Sequence, residues 1–127
     1  MYCPVCKKIM IILEYNKVEL DYCPSCAGCW LDQGELELLL DLPAQALDLS
    51  AITAAPRSKR RCPHCRKKLL REDFPHTDIE VDICPRDGGI WLDRGELVAI
   101  ARSCQENTAI NINQLKDFFS TLFNKNT

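Results

Sequence analysis

The stretch "CPSCAGCWLDQGEL" occupies residues 23–36, and "CPRDGGIWLDRGEL" occupies residues 84–97. The second nearly copies the first. Cys-Pro, a glycine two places before the tryptophan, Trp-Leu-Asp and Gly-Glu-Leu recur in register. One departure stands out: Cys26 is matched by Asp87. The chain is therefore an internal repeat, and its chemistry turns on what a carboxylate does where the spacing calls for a thiolate.

A shorter motif precedes each copy. Cys3-Pro4-Val5-Cys6 matches Cys62-Pro63-His64-Cys65 at an offset of 59, while the longer motif recurs at 61. Sixteen residues separate Cys6 from Cys23 and eighteen separate Cys65 from Cys84. An insertion of two preserves strand alternation, so a hairpin lengthened at its tip accounts for it. "KIMIILEY", a turn at "NK" and "VELDYC" read as two strands of such a hairpin. "KLLREDF", a turn at "PHTD" and "IEVDIC" read the same way in the second copy. Behind each Trp-Leu-Asp, a short helix is expected. Asp32 and Glu35, like Asp93 and Glu96, have the spacing of an N-cap and its reciprocal acid. That explains them better than a catalytic carboxylate pair does. Pro43 is expected to stop the first helix.

Residues 43–61 read as a connector, with a helical turn or two in "PAQALDLSAITAAP" and a solvated "RSKRR". The tail carries an amphipathic stripe at Leu115, Phe118, Phe119, Leu122 and Phe123, with Asn113 as the expected cap. This tail either closes over the repeats or mediates self-association, and closing over them is the preferred reading.

Composition bounds the chemistry. Nine cysteines in 127 residues form no closed disulfide set, and no apolar leader precedes Cys3. No apolar run is long enough to span a bilayer. The expected compartment is a reducing cytoplasm, with thiols free for metal. Net charge is −2, yet its distribution is uneven. Residues 1–56 hold three Lys/Arg and eight Asp/Glu, whereas residues 57–104 hold eleven and eight. Arg57, Lys59, Arg60, Arg61, Arg66, Lys67, Lys68 and Arg71 fall in one run without an acid. It reads first as a solvated face and second as a contact for phosphate.

A unit of about 40 residues buries too little apolar surface to fold unaided and usually requires a metal or disulfides. Cys3, Cys6, Cys23 and Cys26 supply four sulfurs in two tight turns, the pattern of a tetrahedral Zn2+ site. Iron accepts the same donors. Cys62, Cys65 and Cys84 supply three, and Asp87 is the expected fourth ligand, since zinc accepts carboxylate oxygen. The alternatives are water or an outside donor, or a metal-free second copy. His76 sits near the hairpin tip, and His64 lies inside a Cys turn and is expected to point outward. Cys29 is matched by Ile90 and reads as packed, and Cys104 as a free thiol. Trp30 and Trp91 read as core residues shielding the metal, ahead of a stacking platform for bases.

These residues resemble the zinc ribbons of the transcription-factor-IIB type, which look like "CPxC", a hairpin, "CPxCxGxWLDxGEL" and a helix. The resemblance covers roughly residues 1–42 and 62–104 and implies two zinc ribbons; the connector and the tail lie outside it. The expected whole is therefore a small metal-stabilised α+β fold of two ribbons with a C-terminal amphipathic helix, read from its apolar stripe, within residues 105–127. The resemblance implies two Zn2+ per chain, with copy one matching at every ligand and copy two departing at Asp87. The expected function is a non-enzymatic binding module that docks to a protein or nucleic-acid partner in regulation or transcription. The alternatives are a redox or metal sensor working through a labile second site and, less favoured, a zinc hydrolase.

Overall fold

The computed structural model describes residues 1–41, 57–74, 77–104 and 111–125, the side chains of 122–125 excepted. Each copy forms a hairpin, a short third strand and a helix. Copy one comprises β1 (Ile11–Tyr15), β2 (Val18–Tyr22), β3 (Cys29–Leu31) and α1 (Glu35–Leu39). Copy two comprises β4 (Arg57–Arg61), β5 (Lys68–Asp73), β6 (Glu80–Ile83), β7 (Ile90–Leu92) and α2 (Glu96–Ser103), and α3 (Ile112–Lys125) follows.

The hairpins form for local reasons. Asn16 and Lys17 both take positive φ (51° and 65°), as the two central residues of a type I′ turn must. Tyr15 then pairs with Val18, and Ile11 with Tyr22. "RSKRR" is not the solvated segment expected of it. It is β4, an edge strand on β5 in which Ser58 is buried and Arg60 is half-buried.

The two copies do not fold as separate small units. They share one seven-stranded antiparallel sheet in the order β1-β2-β3-β7-β6-β5-β4. The seam is β3 against β7, where Trp30 faces Trp91, Cys29 faces Leu92 and Leu31 faces Ile90. Side chains alternate across it. Cys29, Leu31, Ile90 and Leu92 enter a core on the helix side with Leu20, Tyr22, Val81, Leu97 and Ile100. Trp30 and Trp91 enter a second cluster on the other face, with Met10, Leu69 and most of the Cys-turn residues. Both indoles are fully buried, the core position expected of them.

Two glycines permit that seam. A Cβ on Gly28 would lie 2.3 Å from the Trp91 ring, and one on Gly89 would lie 2.2 Å from the Trp30 ring. Each copy thus yields a bare backbone position to the indole of the other.

The helix caps differ from expectation. Glu35 and Glu96 do reach back, accepting the backbone N–H of Asp32 (2.7 Å) and Asp93 (2.6 Å). The aspartates, however, do not cap. Gly34 and Gly95 occupy the N-cap positions with φ of 89° and 84° and no side-chain cap. In the tail the cap is Asn111, not Asn113, since its Oδ1 accepts the Gln114 N–H at 3.0 Å. Helix α3 lies over the core: Leu115 is fully buried, Phe118 stacks 5.0 Å from Tyr15, and Phe119 lies 6.1 Å from Tyr22. The expected turns in 43–56, the stop at Pro43, His76 and the Leu122 and Phe123 side chains fall outside the described residues.

Gly28→Ala and Gly89→Ala should each overpack the seam and cost about 1–3 kcal/mol. Chemical denaturation followed by tryptophan fluorescence measures this. Wild-type stability in both variants would mean that the indoles do not sit across the seam.

Candidate metal centres

Four turns of one construction carry the expected ligands. In each, the backbone N–H four residues past the first Cys donates to that residue's carbonyl: Lys7 to Cys3 (2.9 Å), Ala27 to Cys23 (2.8 Å), Arg66 to Cys62 (2.9 Å) and Gly88 to Cys84 (3.0 Å). The donor residue of every turn has φ between 63° and 76°, although only one of the four is glycine. Backbone held in that region costs about 1–3 kcal/mol and persists where its surroundings over-determine it, typically at functional sites. The turn ending in Asp87 keeps the same geometry as the three that end in cysteine.

The turns converge in pairs. Cys3, Cys6, Cys23 and Cys26 have their sulfurs within 4.8 Å of one another, and so do the ligand atoms of Cys62, Cys65, Cys84 and Asp87. Sulfurs on a zinc tetrahedron with bonds near 2.3 Å are about 3.8 Å apart. Cys3 Sγ lies 3.7 Å from Cys26 Sγ, and Cys65 Sγ lies 3.6 Å from Cys84 Sγ. The Cys62 Sγ to Asp87 Oδ2 distance is 3.3 Å, against roughly 3.6 Å for a sulfur–oxygen edge of the same tetrahedron. Both clusters are therefore capable of holding zinc, two ions per chain.

Second contacts orient the donors. Val5 and Cys6 N–H groups point at Cys3 Sγ (3.3 and 3.2 Å), and the Cys65 and Asp87 N–H groups point at Cys62 and Cys84 sulfurs (both 3.5 Å). Asp87 uses its oxygens separately. Oδ1 accepts the Gly89 N–H at 3.1 Å, leaving Oδ2 turned into the cluster. Burial works to raise Asp87, but the Gly89 N–H and neighbouring thiols outweigh it and hold the carboxyl below its ordinary value. Burial also pushes the Cys3, Cys26, Cys62 and Cys84 thiols up. On Cys23 and Cys65 the same burial is outweighed by backbone N–H groups, which bring them down. Metal capture must therefore displace protons from most of these sulfurs.

The remaining candidates stay outside the clusters. Cys29 is buried in the helix-side core, where burial raises its thiol to about 12. Cys104 is half-buried at the end of α2. His64 turns outward, with Nε2 2.9 Å from Asp32 Oδ1.

The sequence reading missed the work of Asp32 and Asp93. Asp32 accepts the Trp30 indole N–H at 3.0 Å, and Asp93 accepts that of Trp91 at 3.1 Å. The signal was present, since Trp-x-Asp on a strand puts both side chains on one face. Each aspartate then takes a partner from copy two. Asp32 takes His64, and Asp93 takes Arg60 Nη1 at 2.8 Å, which also reaches the buried Asp82 at 3.0 Å. Burial, with Asp93 and Asp82 nearby, raises Glu96 to about 7.

A family model described as transcription factor zinc-finger matches residues 2–42 and 61–103. The chain belongs to the transcription-factor zinc-finger family. Each match encloses one cluster, so this member is a tandem of two zinc ribbons. The family is one of binding domains rather than catalysts. No curated protein matches the chain.

Two predictions follow from these geometries. During chelator titration, the Asp87-containing site should empty first, because a carboxylate holds this borderline-soft ion less firmly than a fourth thiolate. Asp87→Ala should leave one zinc per chain by elemental analysis, and Asp87→Cys should equalise the two sites; simultaneous loss in wild type would contradict this. Separately, a half-buried acid raised to about 7 contributes stability that is full below its unfolded value and lost as pH rises through its folded one. Glu96→Gln, which keeps the acceptor for Asp93 N–H, should therefore gain in Tm over wild type between pH 5.5 and 7.5 and level off above. A gain independent of pH would reject the assignment.

Proposed function

We propose that this tandem zinc ribbon is a non-enzymatic docking module. Zn2+ is held by Cys3, Cys6, Cys23 and Cys26 in one ribbon and by Cys62, Cys65, Cys84 and Asp87 in the other. The metals fix the four turns, and the surface of the second ribbon meets a partner rich in carboxylate or phosphate. The observation that carries this reading is the division of labour in the basic run. Arg60 and Arg71 are paired with acids of the same ribbon, Asp82, Asp93 and Glu80. Arg57, Lys59, Arg61, Arg66, Lys67 and Lys68 are exposed together on β4, the adjoining Cys turn and the start of β5. Six cations on one edge of a chain with net charge −2 make a local basic surface rather than a global one.

Hydrolysis is less well supported. Four protein donors close the second tetrahedron, whereas a catalytic zinc keeps a position for water. His64, a base inside the Cys62–Cys65 turn, is engaged by Asp32. A sensor role rests on the second site alone, where Asp87 is the most exposed of the four donors.

Zinc-loaded protein should be retained on heparin, and Arg61→Glu combined with Lys67→Glu should elute at clearly lower salt with both zincs in place. Binding to duplex DNA or RNA, with a log–log salt slope falling by about 0.9 per phosphate contact removed, would make the partner a nucleic acid. Retention on heparin without such binding would make it an acidic protein. No retention at low salt, or elution unchanged by the reversals, would remove the proposed surface.

A further inference from the structure

The two donor sets differ in one atom type and in little else. Each is presented by a pair of Cys-Pro turns closed by the same backbone bond, at 2.9 and 2.8 Å in the first ribbon and at 2.9 and 3.0 Å in the second. Each gathers its ligand atoms within 4.8 Å of one another. Each amounts to four anions once the thiols are deprotonated, so neither charge nor backbone separates the sites. The fourth donor does. Cys26 Sγ stands 3.7 Å from Cys3 Sγ, whereas Asp87 Oδ2 stands 3.3 Å from Cys62 Sγ. Sulfur is large and polarizable, carboxylate oxygen is small and hard, and metal ions respond to that difference in different degrees.

The carboxylate is also held to a single role. Its Oδ1 accepts the Gly89 N–H at 3.1 Å, which leaves one oxygen for the cluster. Gly89 is itself locked under the Trp30 ring, where a Cβ would lie 2.2 Å from the indole. The second donor set therefore offers three sulfurs and one oxygen in a closed tetrahedron rather than an oxygen-rich cage. Mg2+ and Ca2+, which demand six or more oxygens, gain nothing there. A thiophilic ion such as Cd2+ gains most from a fourth sulfur and loses most where oxygen replaces it. Co2+ and Fe2+ lose least by that replacement.

Given the two ligand sets assigned above, we propose that the ribbons sort metal ions by softness. The four-cysteine site selects Cd2+ over Zn2+, and the Asp87 site is the one where Co2+ or Fe2+ stands in for Zn2+. The preference is a ratio between ions at each site, distinct from how firmly either site holds zinc. Mixed chains follow from it, with Cd2+ in the first ribbon beside Zn2+ in the second, or Zn2+ in the first beside Co2+ in the second. Arg66 and Lys67 come directly after Cys65, and the Arg66 N–H closes the turn that presents Cys62. The ion open to replacement by harder metals thus belongs to the ribbon with the basic surface, and the thiophilic site belongs to the acidic one.

The test starts from full-length protein carrying two Zn2+, equilibrated with one equivalent of Cd2+. Cadmium NMR and the amide shifts of the four turns show where the ion settles. Cd2+ should occupy the four-cysteine site, whose preference for it over zinc should exceed that of the Asp87 site by about tenfold or more. In the converse experiment, protein loaded with two Co2+ receives one equivalent of Zn2+. Zinc should enter the first ribbon, and the remaining cobalt should show the weaker sulfur charge-transfer absorption of three thiolates. Asp87→Cys should spread Cd2+ evenly over both sites. Wild-type protein that divides Cd2+ evenly, or takes it first in the second ribbon, overturns the proposal. So does an Asp87→Cys variant with the wild-type distribution. Retention of two zincs by Asp87→Ala would overturn the ligand assignment and the sorting with it, whereas an even division of Cd2+ with one zinc lost in Asp87→Ala would overturn the sorting alone.

Discussion

Everything in this molecule is hung on the pairing of β3 with β7. Three residue pairs is a short ladder, and hydrogen bonds alone would not hold two halves together in water. The seam holds because each side sends an indole across to a glycine on the other, Trp30 over Gly89 and Trp91 over Gly28. An indole buries on the order of 200 Å2, a large part of what a unit this small can cover. The indole N–H groups, which would be costly to leave bare, go to Asp32 and Asp93. The seam then aligns two hairpins into one sheet, and the sheet gives the helices a common floor. The metal is therefore not the sole organiser of each half. It fixes the turns on the face where cysteines replace bulky hydrophobes, while an apolar core of both copies fills the opposite face.

Much of this was legible in the sequence. The repeat, the hairpins, the short helices and the two donor sets were all set by local spacing, and local spacing survives translation into structure. What was not legible is whatever depends on the meeting of the two copies. Nothing in "RSKRR" marks it as a strand, because its apolar content is nil; it pairs because β5 offers a free edge and because Asp82 and Asp93 draw Arg60 inward. The glycines before each Trp repeat faithfully, but their reason is a ring from the other copy, invisible to any window along the chain. The aspartates after Trp were assigned to caps by spacing. They lost that role because Gly34 and Gly95 turn the chain into the helix in the left-handed region, which frees each carboxylate for the indole.

The copies have diverged in chemistry while keeping backbone. Positions that are Met1, Tyr2, Val5, Ile9 and Ile12 in the first are Arg60, Arg61, His64, Lys68 and Arg71 in the second. Two of the basic side chains work internally: Arg60 holds Asp93 and Asp82, and His64 reaches Asp32. Of these two, only the His64 contact crosses between the copies, and the first copy meets it with Asp32; Arg60 binds acids of its own copy. The first copy leaves Tyr2, Val5, Ile9 and Ile12 exposed where the second carries polar or charged side chains. Division of this kind is available only to a tandem, in which matching positions can take different chemistry on one backbone plan.

Asp87 shows how far ligand and fold can be separated. The turn that presents it closes with the same two backbone bonds as the cysteine turns, Gly88 N–H to Cys84 and Cys84 N–H to Gly89. Changing sulfur to carboxylate leaves the charge of the donor set unaltered, so the electrostatic cost of gathering four anions is the same in both ribbons. A carboxylate also has a second oxygen to satisfy, and Gly89 satisfies it. That glycine is the one that admits Trp30. The residue that lets the two halves join is thus the residue that aims the substituted ligand, and the departure from four cysteines rests on a backbone position the seam already required.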